Sequence, residues 1–183
     1  MSNIFEKFSP KVQPCLEPEY EGVYGRYTIT QADQREVKLY RLSVLLCGIS
    51  FTCGILQWLL ISPSSAWIWF IPLAIGLGLA LKWIHIYLRP LHKALQVFWA
   101  LGCVGILIMA WILGAENMLS KLAIEPIWIL TIGPLFAALT GLGFKEFFCF
   151  QRPEAIGLTI LVPISLLGHL TGLTQKTAVM SLL

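Results

Sequence analysis

Residues 94–115 read ALQVFWALGCVGILIMAWILGA, and these 22 residues contain no Asp, Glu, Lys or Arg. An α-helix needs roughly 20 consecutive apolar residues to cross the hydrocarbon core of a bilayer. Only a helix or a closed barrel satisfies all of its backbone hydrogen bonds in that core. The stretch therefore predicts a membrane-spanning helix.

Four further apolar runs have a similar length, and the connections between the five runs are short. Short connections favour antiparallel packing of helices that follow each other in the chain. The sequence predicts an all-α, polytopic membrane protein in which residues 42–173 form a bundle of five transmembrane helices. The predicted spans are 42–61, 66–88, 94–115, 126–144 and 155–173.

The segments on either side of the bundle are predicted to lie outside the membrane. Residues 1–41 form an N-terminal segment and residues 174–183 a short tail. Thr30 and Asp33 have the spacing of a helix N-cap, with the carboxylate at the positive end of the helix dipole. We therefore expect residues 31–41 to run as a helix directly into the first span.

Composition excludes several classes of protein. Of the 183 residues 57% are hydrophobic and 13% are charged, and the mean hydropathy is +0.75. Soluble domains have about a quarter charged residues, so this chain could not cover itself with a polar surface. A soluble enzyme, a nucleic-acid-binding protein and a disordered regulator are excluded. The net charge of +3 is too small to indicate a polyanionic partner.

The distribution of Lys and Arg predicts the orientation of the bundle. With five spans, eleven of these residues fall on the side of the N-terminus and two on the opposite side. Positive residues concentrate on the cytoplasmic side of membrane proteins. The sequence therefore predicts a cytoplasmic N-terminus, with residues 174–183 across the membrane.

The five predicted spans contain no Asp or Glu and a single Lys, Lys82, which can extend to the interface. Proton-coupled carriers and intramembrane aspartyl proteases need a carboxylate within the membrane. His85 and His169 lie near opposite membrane faces, so they cannot share one haem iron in a monomer. The five Cys residues form no Cys-x-x-Cys pair. We therefore predict no catalytic residues, no metal and no cofactor.

Small residues at four-residue spacing let membrane helices approach closely. Two predicted spans carry such spacing, which favours helix packing without naming the partner helix. The residues are Gly133, Ala137 and Gly141 in the fourth span, and Gly168 and Gly172 in the fifth.

Residues 143–154, which include the connection between the fourth and fifth spans, alternate charged and aromatic side chains on the predicted cytoplasmic side. Such a loop can anchor the protein at the membrane edge through internal ion pairs. It can equally serve as a docking surface, because aromatic residues and Arg dominate binding hot spots. The candidate docking residues are Lys145, Glu146, Phe148, Phe150, Arg152 and Glu154.

Three stretches together resemble a known family. They are YGRYTITQADQREVKLYR at 24–41, GFKEFFCFQRPEA at 143–155 and LLGHL at 166–170. Over about residues 20–173 the chain resembles a family of uncharacterised integral membrane proteins of cyanobacteria, classed as a domain of unknown function. The resemblance implies a location in an inner or thylakoid membrane and implies no catalytic residues.

The leading hypothesis is a non-catalytic accessory protein that helps assemble or stabilise a larger membrane complex. Its expected partners are membrane lipid and another membrane protein. This hypothesis also allows the protein to form a homo-oligomer. The main alternative is a carrier or channel for a neutral small solute, which needs a hydrated cavity. A third hypothesis is a membrane enzyme that acts on lipid or pigment, with residues 145–154 as its site. The cavity of a carrier is expected to be lined by Thr131, Pro134, Ser165 and His169.

Overall fold

In a computed structural model, the chain is described over residues 19–22, 25–28, 30–84, 89–150 and 153–172. It divides into two compact units, Met1–Lys38 and Leu39–Leu183. Apart from one short hairpin, the regular elements of the described residues are helical.

The hairpin pairs β1 (Glu19–Gly22) with β2 (Gly25–Thr28) in antiparallel register, Tyr20 opposite Tyr27. Sequence analysis did not anticipate these strands, because four residues are too few for an alternating pattern to stand out. The helix cap predicted after them is confirmed. The Asp33 backbone N–H donates to Thr30 Oγ1 at 3.2 Å, and the Thr30 N–H donates to Asp33 Oδ2 at 3.0 Å. This reciprocal pair is a capping box.

Helix α1 (Gln31–Leu60) is continuous over 30 residues. At 1.5 Å per residue it is about 45 Å long, which exceeds the hydrocarbon thickness of a bilayer. The prediction that residues 31–41 run as a helix directly into the first apolar run is confirmed.

The second apolar run folds in three pieces. These are α2 (Pro63–Ala66), a 3₁₀ turn at Trp67–Trp69 and α3 (Phe70–Trp83). Pro63 occupies the first turn, where a missing N–H costs nothing, and Ser62 Oγ accepts from the Ser64 N–H.

Helix α4 (Arg89–Leu113) begins five residues before the predicted span, so residues 89–93 are helical and do not form the expected connection. Pro90 is compatible with a first turn because that turn needs no N–H at this position. Gly114 then ends the helix at a φ of +78°, a left-handed conformation that glycine adopts without strain.

The predicted connection 116–125 contains a further helix, α5 (Met118–Ile124). Met118, Leu119 and Leu122 are buried on one face of it. Seven residues are too short for helical periodicity to be recognised in an apolar sequence.

Helix α6 (Ile129–Phe150) follows a 3₁₀ turn at Pro126–Trp128, and α7 spans Glu154–Leu170. The interpretation of residues 143–154 as a loop needs correction, because residues 143–150 are the last two turns of α6. The sequence analysis attributed the repeated aromatic side chains of this stretch to a loop at the membrane surface. They are equally compatible with a helix.

Within the described residues, four helical segments are long and apolar enough to span a membrane: Gln31–Leu60, Ser64–Trp83, Arg89–Leu113 and Pro126–Phe148. A shorter apolar helix covers Ala155–Leu170. Large apolar side chains point outward, such as Trp111, which is 89% exposed. Outward apolar faces are stable only in contact with lipid or another protein. The fold class, a polytopic helical membrane protein, is confirmed.

Two glycines that the sequence analysis did not select lie where α4 and α6 approach each other closely. A Cβ on Gly102 would lie 2.6 Å from Leu135 Cα, and one on Gly105 would lie 2.7 Å from the Thr131 carbonyl carbon. These distances are shorter than real Cβ contacts, so α4 and α6 meet backbone to backbone here.

The predicted packing residues have mixed outcomes. A Cβ on Gly141 would meet the Leu95 side chain of α4, but Ala137 is exposed and a Cβ on Gly133 would reach only Ile129 of its own helix. The physical reason is that each step of four residues turns about 40° past a full turn. Gly133 and Gly141 therefore point about 80° apart.

In α7, Gly168 is half-buried, and its carbonyl accepts from Thr171 Oγ1 at 3.2 Å. Gly172 ends the helix at a φ of +70°, and a Cβ there would meet no atom of the described residues within 4 Å. Its N–H donates to the His169 carbonyl at 3.0 Å. Gly172 is thus a C-terminal cap and not the packing residue that its spacing predicted.

Candidate functional site

Two of the predicted docking residues lie against α1. Glu146 Oε1 accepts a hydrogen bond from the buried Tyr40 hydroxyl. Lys145 Nζ lies 4.8 Å from the centroid of the Tyr40 ring, within the range of a cation–π interaction. Lys145 and Glu146 are both half-buried. These two charged side chains therefore join α6 to α1.

The neighbouring aromatic side chains face outward. Phe148 is 61% exposed and Phe144 is 48% exposed, and their ring centroids are 4.3 Å apart. Phe147 stacks edge-on against Phe148 at 4.9 Å. The end of α6 thus has a charged face turned to α1 and an aromatic face turned away from the bundle.

The remaining docking residues are less well described. Arg152 lies outside the described residues. Phe150 is the last residue of α6 and Glu154 the first of α7, and only their backbones are described. The structure therefore places the side chains of Lys145, Glu146 and Phe148, the first two against Tyr40 of α1 and the third facing outward.

The other end of the bundle, where α1 finishes, contains a cavity of about 320 Å³. Segments of α1, α2, α3, α5, α6 and α7 line it, together with Trp69 of the 3₁₀ turn. None of the described lining residues is Asp, Glu, Lys or Arg. Five aromatic side chains form much of the wall: Phe51, Trp58, Trp69, Phe70 and Phe136.

Polar side chains are few in this cavity. Ser165 and His169, two of the four residues expected to line the pathway of a carrier, do line it. Thr131 and Pro134 are not among its lining residues. The Thr131 hydroxyl donates to the Trp128 carbonyl at 2.6 Å and lies 3.3 Å from Met109 Sδ, between α4 and α6. The lining of the cavity is consequently mostly apolar.

His169 has a structural role that its sequence position does not reveal. Its Nε2 lies 2.9 Å from the Leu122 carbonyl oxygen. In a continuing helix that carbonyl would accept from the N–H four residues later, but residue 126 is proline and has none. His169 of α7 thus satisfies the C-terminal end of α5. His85, the other histidine weighed as a haem ligand, lies outside the described residues.

Gln57 near the end of α1 is a polar anchor that sequence analysis missed. Its side-chain amide donates to Ser65 Oγ at 2.7 Å, and its carbonyl oxygen accepts from the Trp69 indole N–H. An amide in an apolar helix is costly unless it is hydrogen-bonded. The isolated Gln in the first span was the signal that could have identified this contact.

Glu125, between α5 and the following 3₁₀ turn, has a pKa below its ordinary value. The main cause is the Trp128 indole N–H, which donates to Glu125 Oε2 at 3.0 Å. Lys121 Nζ, at 3.4 Å from Oε1, contributes further. The carboxylate is exposed, so these contacts order the loop with little effect on overall stability.

No group of three or more His, Cys, Asp or Glu side chains in the described part of the chain has the arrangement needed to hold a metal ion. The three cysteines described, Cys47, Cys53 and Cys103, are free thiols.

A family model described as "Uncharacterized integral membrane protein (DUF2301)" matches residues 79–183, more than half of the chain. The chain belongs to the DUF2301 family. Searches of curated proteins and of solved structures gave no match.

The DUF2301 match runs from the end of α3 through α7 and includes two of the three stretches on which the resemblance was based, 143–155 and 166–170. The third stretch, 24–41, and Tyr40 within it, lie outside the matched residues. The end of α6 and the α5–α7 wall of the cavity therefore belong to the DUF2301 region, whereas the α1 wall precedes it.

Proposed function

We propose that this protein is a non-catalytic accessory protein that helps assemble or stabilise a larger membrane complex. We further propose that it resides in a cyanobacterial inner or thylakoid membrane, on the basis of the sequence resemblance. The contact surface in this proposal is the outward aromatic face of α6, defined by Phe144 and Phe148.

The observation that supports this role is the division of side chains at the end of α6. Lys145 and Glu146 are engaged with Tyr40, which fixes the rotation of the helix end. That rotation leaves the paired rings of Phe144 and Phe148 exposed. A rigidly held aromatic pair is a favourable anchor for a protein partner, because little conformational entropy is lost on binding.

Polar side chains inside the bundle support a structural role. His169 satisfies the Leu122 carbonyl, and Gln57 bridges Ser65 and Trp69. Ser43 and Ser50 donate to carbonyls of their own helix. The contacts of His169 and Gln57 stabilise a helix end and the packing of neighbouring elements, whereas the two serines only satisfy their own hydroxyls.

Phe144 and Phe148 are the residues to test, because charge reversal at Lys145 would also disturb its contact with Tyr40. The variant Phe144→Leu/Phe148→Leu keeps an apolar, lipid-compatible surface and removes both rings. The matched control is Trp111→Leu, which removes an exposed aromatic ring from α4. Each tagged protein is extracted from its native membrane in mild detergent, and the co-purifying proteins are quantified.

We expect the double variant to lose at least three quarters of a co-purifying membrane protein, while the control retains it. Equal recovery of that protein with the double variant, at unchanged expression, would contradict the proposed surface.

The alternative function, a carrier for a neutral small solute, is favoured by the cavity of about 320 Å³ at the other end of the bundle. Its apolar lining favours a solute with little polarity. Flux of such a solute into proteoliposomes that contain the purified protein distinguishes a carrier from an accessory protein.

A further inference from the structure

The cavity near the end of α1 has the properties of a ligand site. Small-molecule sites are concave and mostly apolar, with volumes from about 300 Å³ and a few polar groups that orient the ligand. The volume of about 320 Å³ lies within that range. The lining comes from six helices, which fixes its shape more firmly than a groove between two helices would.

The chemistry of the lining limits what can bind. The described lining has no carboxylate, ammonium or guanidinium group, so a charged ligand would lose its hydration without compensation. Aromatic rings such as Phe51, Trp69 and Phe136 offer flat, polarisable walls. Ser165 adds a hydroxyl, which can both donate and accept a hydrogen bond.

The volume sets the size of the ligand. An apolar protein cavity of about 150 Å³ holds one benzene molecule. A cavity of about 320 Å³ therefore accommodates two fused or linked rings, or a hydrocarbon chain of roughly ten carbons.

We propose that this cavity binds one neutral amphiphile, a two-ring or hydrocarbon group that carries a hydroxyl or carbonyl oxygen placed at Ser165. A bilayer lipid that inserts one ester-linked chain and a free isoprenoid or quinone-like molecule share this chemistry. The site lies at the end of the bundle opposite Phe144 and Phe148, so it is independent of the proposed partner surface.

The test uses 4-bromo-4′-hydroxybiphenyl as a probe, added to the full-length protein in detergent micelles. Its bromine quenches tryptophan fluorescence on contact, and Trp58 and Trp69 line the cavity. The variant Ala123→Phe fills the cavity from α5. The matched control, Ala137→Phe, adds the same ring on an exposed face of α6.

We expect saturable quenching with one site per chain for the unmodified protein and for Ala137→Phe. With Ala123→Phe, only the linear quenching caused by probe dissolved in the micelle should remain. Equal quenching curves for all three proteins would overturn the proposal.

A second variant keeps the proposal testable if Ala123→Phe does not fold. Ser165→Ala removes one hydroxyl from an exposed residue. The hydroxylated probe should bind the unmodified protein roughly three- to ten-fold more tightly than 4-bromobiphenyl does, as one hydrogen bond allows. That preference should disappear in Ser165→Ala, and its persistence would rule out Ser165 as the polar contact.

Native mass spectrometry of the gently extracted protein then identifies the source of the ligand. A retained glycerolipid mass indicates an inserted lipid chain, and a neutral isoprenoid or quinone mass indicates a free molecule. Either result supports the proposal. A chain that carries neither and shows no saturable quenching refutes it.

Discussion

Pro126 leaves the Leu122 carbonyl without an N–H partner four residues later, and His169 supplies one from another helix. A buried carbonyl that loses its only strong donor costs about 1–3 kcal/mol. The histidine is half-buried and lines the cavity. At the scale of single residues, hydrogen bonding of this kind explains why a lone histidine lies in an apolar helix.

The role of His169 predicts the behaviour of two substitutions. His169→Phe keeps a ring and removes the donor, so it should lower the free energy of unfolding by about 1–3 kcal/mol. His169→Gln retains a donor and should lose less than half as much. Unfolding in a series of SDS and mild-detergent mixtures, followed by circular dichroism, measures both. Equal stability of His169→Phe and the unmodified protein would contradict the role.

Glu125 provides a pH-dependent test. The Trp128 indole and Lys121 favour its charged form, so Trp128→Phe should raise the pKa of Glu125 and Lys121→Gln should raise it less. Because the folded-state pKa is depressed, the small stabilisation is present above the unfolded pKa and is lost as the pH falls through the folded pKa. The pKa of Glu125 is measured from the carboxyl ¹³C chemical shifts of glutamate-labelled protein as the pH is varied. The variant Glu125→Gln identifies the signal of this residue. An unchanged pKa in Trp128→Phe would refute the assigned cause.

The sequence indicated some residue-level contacts and not others. Thr30 and Asp33 were identified because a capping box has a fixed spacing within one helix turn. The contacts of Tyr40 with Glu146, and of His169 with Leu122, join residues 106 and 47 positions apart. Pairs so distant depend on how helices pack, and a single sequence gives no spacing rule for them.

At the scale of elements, the α4–α6 contact predicts opposite outcomes for two glycines. Gly105→Ala places a Cβ against the Thr131 backbone, which cannot move aside without separating the helices. We expect a loss of about 1–3 kcal/mol. Gly133→Ala, on α6, meets only its own Ile129 at 3.9 Å and should be neutral or stabilising by up to about 1 kcal/mol. Thermal unfolding in detergent measures both, and equal melting temperatures would contradict the packing.

The long elements were predictable from sequence, whereas the short ones and the helix ends were not. Apolar runs of about twenty residues identified α1, α4 and α6, because the bilayer imposes that length. Helix α5 escaped notice because it has one buried face and only seven residues. The end of α6 was misplaced because charged residues outside the membrane do not prevent a helix from continuing.

At the scale of the whole molecule, the five predicted spans imply an odd number of crossings, with the two ends of the chain on opposite sides of the membrane. Helix α7 has 17 residues, or about 26 Å, slightly less than the hydrocarbon thickness. If it crosses the membrane, alkaline phosphatase fused after Leu183 should be active outside the cytoplasm. The same enzyme fused after Phe150 should be inactive. Inactivity of both fusions, at normal expression, would show that α7 does not cross.

The central claim is that the protein acts within a larger membrane complex, and the size of the gently extracted protein tests it most directly. The tagged, unmodified chain is extracted from its native membrane and separated on a native gel, and the proteins in its band are quantified by mass spectrometry. An accessory role predicts migration well above a 20.5 kDa chain in its micelle, with at least one membrane protein at a constant ratio. Migration as a lone monomer or homodimer would contradict the account.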